Sequence, residues 1–187
     1  MLQQMSAVLS RAGRESRHDA HAGARYDLAV PRDGRRALCA GWLALGLVAL
    51  TGAGVFSILL VVARTPYFQH LFPVADFFRV ALIVHVDLSV LVWFIALGGA
   101  LWSLNSTERL TGVGWAALVL ASAGTAVICA APFAGFGVPI MSNYVPVLDS
   151  PVFTAGLMVF GSGFLLLTVR SLAAVSAVGV VIDGAAA

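Results

Sequence analysis

Four long stretches of the chain are almost uninterrupted runs of apolar residues, separated by short clusters of Pro, Gly, Asn and charged residues. The first runs from about Leu38 to Val62, the second from about Phe77 to Leu104, the third from about Val113 to Phe133 and the fourth from about Val152 to Leu172. Each holds the roughly 20 mainly apolar residues a helix needs to cross a bilayer, where the backbone must satisfy its own hydrogen bonds. A β-barrel would alternate apolar and polar residues in segments of about ten, whereas these runs are longer and apolar all round. The pattern predicts an all-α polytopic membrane protein with four transmembrane helices.

Composition agrees: 60% of the 187 residues are hydrophobic, 11% are charged, and the mean hydropathy is +0.95. Charge adds an orientation. The basic residues are all arginine, and Arg11, Arg14, Arg17, Arg25, Arg32, Arg35 and Arg36 precede the first span. The positive-inside rule therefore predicts a cytoplasmic N-terminus. With four spans, Arg109 and Arg170 return to the inside and only Arg64 and Arg79 lie outside. The net charge of +2 then reports orientation in lipid and implies no nucleic-acid partner. Cys39 and Cys129 fall at opposite ends of the membrane on this topology, which excludes a disulfide between them and a thiolate metal site.

The flanks divide the chain further. Residues 1–36 mix charge, Ala and Gly without sustained periodicity and read as a poorly ordered cytoplasmic tail. Residues 37–175 form the four-helix region and 176–187 a C-terminal tail. His18 and His21 in the first tail lack a third ligand and are weak evidence for metal. Pro66 and Pro73 break the first outer connection, in which His70 reads as a surface histidine. In the short inner turn, Thr111 or Asn105 is placed to cap a helix end. The second outer connection is rich in proline, which predicts a structured lid at the outer surface. Small residues at Ala117, Ala121, Thr125 and Cys129, and Gly156, Gly161 and Gly163 in the fourth span, predict close helix packing.

Chemistry concentrates in the stretch FRVALIVHVDLSVLVWF, where His85 and Asp87 interrupt the second span. His85 lies eight residues in from Phe77, about 12 Å deep, where a neutral imidazole serves as a haem ligand or as a hydrogen-bonded structural group. Asp87 lies about 200° round the helix, so the two share no face, and Asp87 needs a partner of its own. Arg79 is spaced to pair with Asp76 at the membrane edge, and is alternatively a candidate contact for a haem propionate. No catalytic residue is assigned.

The segment FFRVALIVHVDLSVLVWF and the loop NYVPVLDSPVF entering the fourth span resemble the N-terminal part of subunit I of the haem-copper oxidase superfamily, the cytochrome c oxidases and nitric oxide reductases. The resemblance covers about residues 38–172. It implies that His85 is an axial ligand of a low-spin haem iron, that electrons arrive from a periplasmic donor such as cytochrome c, and that the protein sits in the bacterial inner membrane. Asp87 is not part of the family's pattern. The family's second low-spin ligand, high-spin ligand and copper-binding histidines lie on later helices that are not in this sequence. The chain then reads as an incomplete subunit I that binds no copper itself, partnered by the missing helices or other oxidase subunits. Two alternatives stand: a four-helix b-type cytochrome or membrane anchor sharing one haem across a dimer, and a non-haem assembly or transport protein.

Overall fold

The computed structural model describes residues 30–68, 70, 76–134, 137–141 and 146–175. The expectations for the N-terminal tail up to residue 29, with His18 and His21, for Pro73, and for residues 176–187 lie outside the described residues. The elements below belong to one compact unit, Pro31–Gly179.

Four helices span the unit: α1 (Gly34–Arg64), α2 (Phe77–Leu104), α3 (Thr111–Ala130, continued by a 3₁₀ turn to Phe133) and α4 (Pro151–Ala173). At 1.5 Å per residue, the 23 residues of α4 reach about 35 Å, enough to cross a hydrocarbon core of about 30 Å. Their outward faces are as apolar as their inward ones: Leu47, Val48, Ile58, Val61, Phe94, Val119, Met158 and Leu165 are all exposed. A water-soluble bundle would cover such a surface with charge. The protein is therefore an all-α, polytopic integral membrane protein, as its hydropathy pattern predicts.

The helix ends follow from local chemistry. Helix α1 begins at Gly34, slightly before the predicted four-helix region, because Asp33 caps it: the Asp33 carboxylate accepts a hydrogen bond from Arg35 N at 2.9 Å. Pro66 follows its last turn. Asn105 closes α2, its Nδ2 donating to the Leu101 carbonyl at 3.0 Å. Thr111 does not cap α3; its hydroxyl donates to Glu108 O at 2.6 Å, and Leu110, with φ of 56°, occupies the cap position in a left-handed conformation. Pro151 starts α4, where its missing N–H costs nothing.

We call the end bearing Arg64 and Phe77 outer, following the charge-derived orientation. There the proline-rich connection forms an element the sequence did not suggest, a short antiparallel hairpin of β1 (Val138–Ile140) and β2 (Val147–Asp149), with Pro139 opposite Leu148. Leu148 is buried and joins the core, so β2 packs on the bundle. At the inner end the turn between α2 and α3 is clamped from both sides. Arg35 donates to Ser106 O, while the fully buried Arg170 donates to Leu110 O at 3.2 Å and Thr107 O at 3.5 Å.

The helices pack as two antiparallel hairpins, α1 with α2 and α3 with α4. Between α3 and α4 the backbones nearly touch. A Cβ added at Gly124 would lie 2.4 Å from Phe160 N, and one at Gly163 would lie 2.6 Å from Ala121 N. Ala117, Ala121 and Thr125 are buried along the same seam, as the small-residue spacing predicts. Gly161 is the exception and faces open space. Between α1 and α2 the packing is coarser, with Trp42 lying against Gly99 and Trp93 against Gly46.

Candidate functional site

In an apolar bundle a hydroxyl must find its acceptor locally, and most do so on their own helix. Thr51, Ser103, Thr125, Ser162, Thr168 and Ser171 each donate to the carbonyl four residues back. Ser57 differs. Its Oγ lies 3.1 Å from His85 Nδ1, making it the one hydroxyl among the described residues that bonds to a side chain on another helix.

His85 Nδ1 also lies 2.9 Å from the carbonyl oxygen of Ala53, one turn below Ser57 on α1. That contact fixes the tautomer. A carbonyl can only accept, so Nδ1 carries the proton and donates it, shared between Ala53 O and Ser57 Oγ. In the neutral ring the lone pair is then on Nε2, which has no hydrogen-bond partner among the described residues. His85 is only half-buried. An imidazole with Nδ1–H tied to a backbone carbonyl and Nε2 open is oriented in the way metal-binding histidines are.

The helix changes pitch directly below. From Asp87 to Val92, α2 winds as a π-helix, which inserts extra backbone into one turn. Ser89 Oγ donates to His85 O at 2.8 Å and to Val86 O at 3.3 Å, satisfying carbonyls at the transition. A π-turn inside a transmembrane helix is a frequent mark of a functional position. Here it falls within two residues of the histidine.

Asp87 faces away from His85, as helical spacing predicts. It is 1% exposed, and neither carboxylate oxygen has a hydrogen-bond partner among the described residues. The partner the sequence called for is not supplied by these four helices: α1, α3 and α4 carry no charged residue between Ala37 and Ala63, Thr111 and Phe133, or Pro151 and Val169. Arg79 does pair with Asp76, Nη1 to Oδ2 at 3.4 Å, and both side chains are largely exposed. His70 is exposed as well. Among the described residues, no three His, Cys, Asp or Glu side chains cluster to hold a bare metal ion.

Sequence reasoning missed Ser57. The signal was present as depth: Ser57 is seven residues from the outer end of α1 at Arg64 and His85 is eight from that of α2 at Phe77, so antiparallel neighbours place them at one level.

No family model and no solved structure matches the chain. It is similar to an uncharacterised protein of Rickettsia prowazekii, 31% identical over 159 residues, with 72% of this chain and 31% of that protein covered. An uncharacterised protein of Aquifex aeolicus is 31% identical over 131 residues, with 70% of this chain and 33% of that protein covered. The chain thus spans about a third of the length of these curated relatives.

Proposed function

We propose that His85 is an axial ligand to the iron of a low-spin haem, and that the chain is the N-terminal part of a haem-copper oxidase subunit I-like protein of the bacterial inner membrane, in which it takes part in electron transfer. The observation that carries this reading is the state of the imidazole: Nδ1–H is held by Ala53 O and Ser57 Oγ, and the Nε2 lone pair is left open. A purely structural histidine in lipid would be expected to satisfy both nitrogens, because an unpartnered polar atom there is costly.

Haem, when bound, supplies a one-electron carrier. The protein's own residues do the rest. Ala53 and Ser57 hold the ring's tautomer and orientation from α1, Ser89 stabilises the backbone below it, and the apolar walls of α1 and α2 exclude water. The second axial ligand comes from another polypeptide segment, because no other histidine lies on the four helices. Oxidase or reductase chemistry, copper, further subunits and a cytochrome c-like donor belong to the larger assembly in this reading, consistent with relatives about three times as long.

The test is a reduced-minus-oxidised spectrum of the purified protein. We expect Soret and α bands in the wild type and their loss in His85→Ala, with the helical content of the variant unchanged. Bands that persist unaltered in His85→Ala would refute the assignment.

The unpartnered Asp87 favours a second reading, a haem-free helix bundle in which α2 carries a polar transport or assembly role. A wild-type protein that binds no haem decides for it.

A further inference from the structure

The contact between His85 and Ser57 repeats one heptad outward. Seven residues above His85 on α2 is Phe78, and seven above Ser57 on α1 is Arg64. These two also meet, the Arg64 guanidinium lying over the Phe78 ring at 3.9 Å from its centroid. Seven residues turn a helix through about 700°, which returns each side chain to within about 20° of its starting direction and about 10.5 Å further along. Both contacts therefore line one side of the α1–α2 pair, with the imidazole deep and the guanidinium at the outer edge.

Around the upper contact the structure has an open groove of about 460 Å³, lined by Leu60, Val61, Arg64, Thr65, Pro66 and Phe78. Its walls are apolar apart from two groups. The Thr65 hydroxyl is engaged with Val61 O at 2.9 Å. Arg64 is exposed and has no carboxylate partner, since the ion pairs among the described residues are Asp33–Arg35 and Asp76–Arg79. Arg79 differs in both respects: it is already paired with Asp76, and six residues from His85 place it about 120° away from the imidazole's direction.

Resting on the haem reading of His85, we propose that Arg64 binds the carboxylate edge of that cofactor, and that the groove between α1 and α2 holds the cofactor's outer margin. The groove supplies an apolar wall and a cation with no carboxylate partner, and His85, which does not line it, lies about 10.5 Å deeper on the same side of the helix pair. That arrangement suits an amphipathic ligand with a metal at its centre and anionic groups at one edge. Arginine suits the task because its planar fork binds carboxylate in a directed way and stays charged at the membrane edge. Phe78 holds the guanidinium's orientation by stacking.

The experiment compares Arg64→Gln, Arg64→Lys and Arg79→Gln in the full chain, by haem titration and by the haem midpoint potential. Arg64→Gln is expected to weaken haem binding about tenfold, the scale of one lost charge-assisted contact. It should also move the midpoint to more negative values, because a nearby cation favours the reduced haem. Arg64→Lys should restore the potential, and Arg79→Gln should change neither quantity. Unchanged affinity and potential in Arg64→Gln overturn the proposal, and changes confined to Arg79→Gln transfer the role to that residue. If the wild type binds no haem, the His85 reading fails and this one with it. Failure of Arg64 alone leaves the haem signal of the wild type intact.

Discussion

The two helical hairpins meet the same solvent with opposite solutions. Between α3 and α4 the contact is made by Gly, Ala and Thr, the backbones approach to the limit that a missing Cβ allows, and the buried Thr125 hydroxyl bonds to its own helix. Between α1 and α2 the contact is made by tryptophan rings seated on glycines, Trp42 on Gly99 and Trp93 on Gly46. There an imidazole bonds across to its neighbour, and α2 carries a π-turn and, on another face, a carboxyl with no hydrogen-bond partner among the described residues. In the haem reading, α3–α4 takes the part of a support and α1–α2 the part that meets the cofactor.

The largest expected effect breaks the support. Gly124→Leu should destabilise the protein by about 3 kcal/mol or more, because Phe160 and Gly156 backbone atoms occupy the space its side chain needs. Ser122→Leu, on an exposed position of the same helix, should leave the thermal midpoint in detergent nearly unchanged. Equal tolerance of the two would mean that the seam is not the support it appears from its geometry.

A smaller effect separates the hairpins by their hydroxyls. Removing the cross-helix acceptor with Ser57→Ala should cost about 1 kcal/mol and, in the haem reading, weaken haem retention, since Nδ1–H keeps only Ala53 O. Thr125→Ala removes a bond made within one helix, so chemical denaturation should show a loss below about 0.5 kcal/mol.

The smallest effect lies at the inner end of α1. The Arg35 guanidinium beside Asp33 holds that carboxyl below its usual value of 3.8. A lowered folded value means that the cap contributes fully above about pH 3.8 and that its contribution disappears as pH falls through the lower, folded value. Unfolding measured against pH should therefore show wild type and Asp33→Asn converging at acid pH, with the wild type more stable near neutrality. Convergence in the other direction would contradict the cap geometry.

Much of this was legible in the sequence. Uninterrupted apolar runs located all four spans because lipid leaves a backbone few alternatives, and the small-residue spacing of Ala117, Ala121 and Thr125 marked the tight seam. The pairing of Asp76 with Arg79 and the divergence of His85 from Asp87 followed from helical angle alone. The π-turn was not legible, because Asp87–Val92 has the same apolar composition as any helical turn. The outer hairpin escaped because its strands are three residues each, too short to show alternation. Ser57 and Arg64 share the depths of His85 and Phe78 in the sequence, but which faces of the two helices meet is decided by packing. Gly161 shows the reverse error, a glycine read as a contact that has nothing opposite it.

The register of α1 on α2 is itself set by the tryptophans. Trp42 sits against Gly99 and, further along in the opposite sense, Trp93 sits against Gly46. Each bulky ring needs the one gap on the facing helix that will admit it, so the pair works like two pins in two holes. A slide of α1 along α2 by a single residue, about 1.5 Å, would misalign both pins together and carry Ala53 O out of reach of His85. The tautomer of one imidazole near the outer half of the membrane is thus gauged by two indole rings on its inner side, and an error in machining either of them would be read out at the histidine.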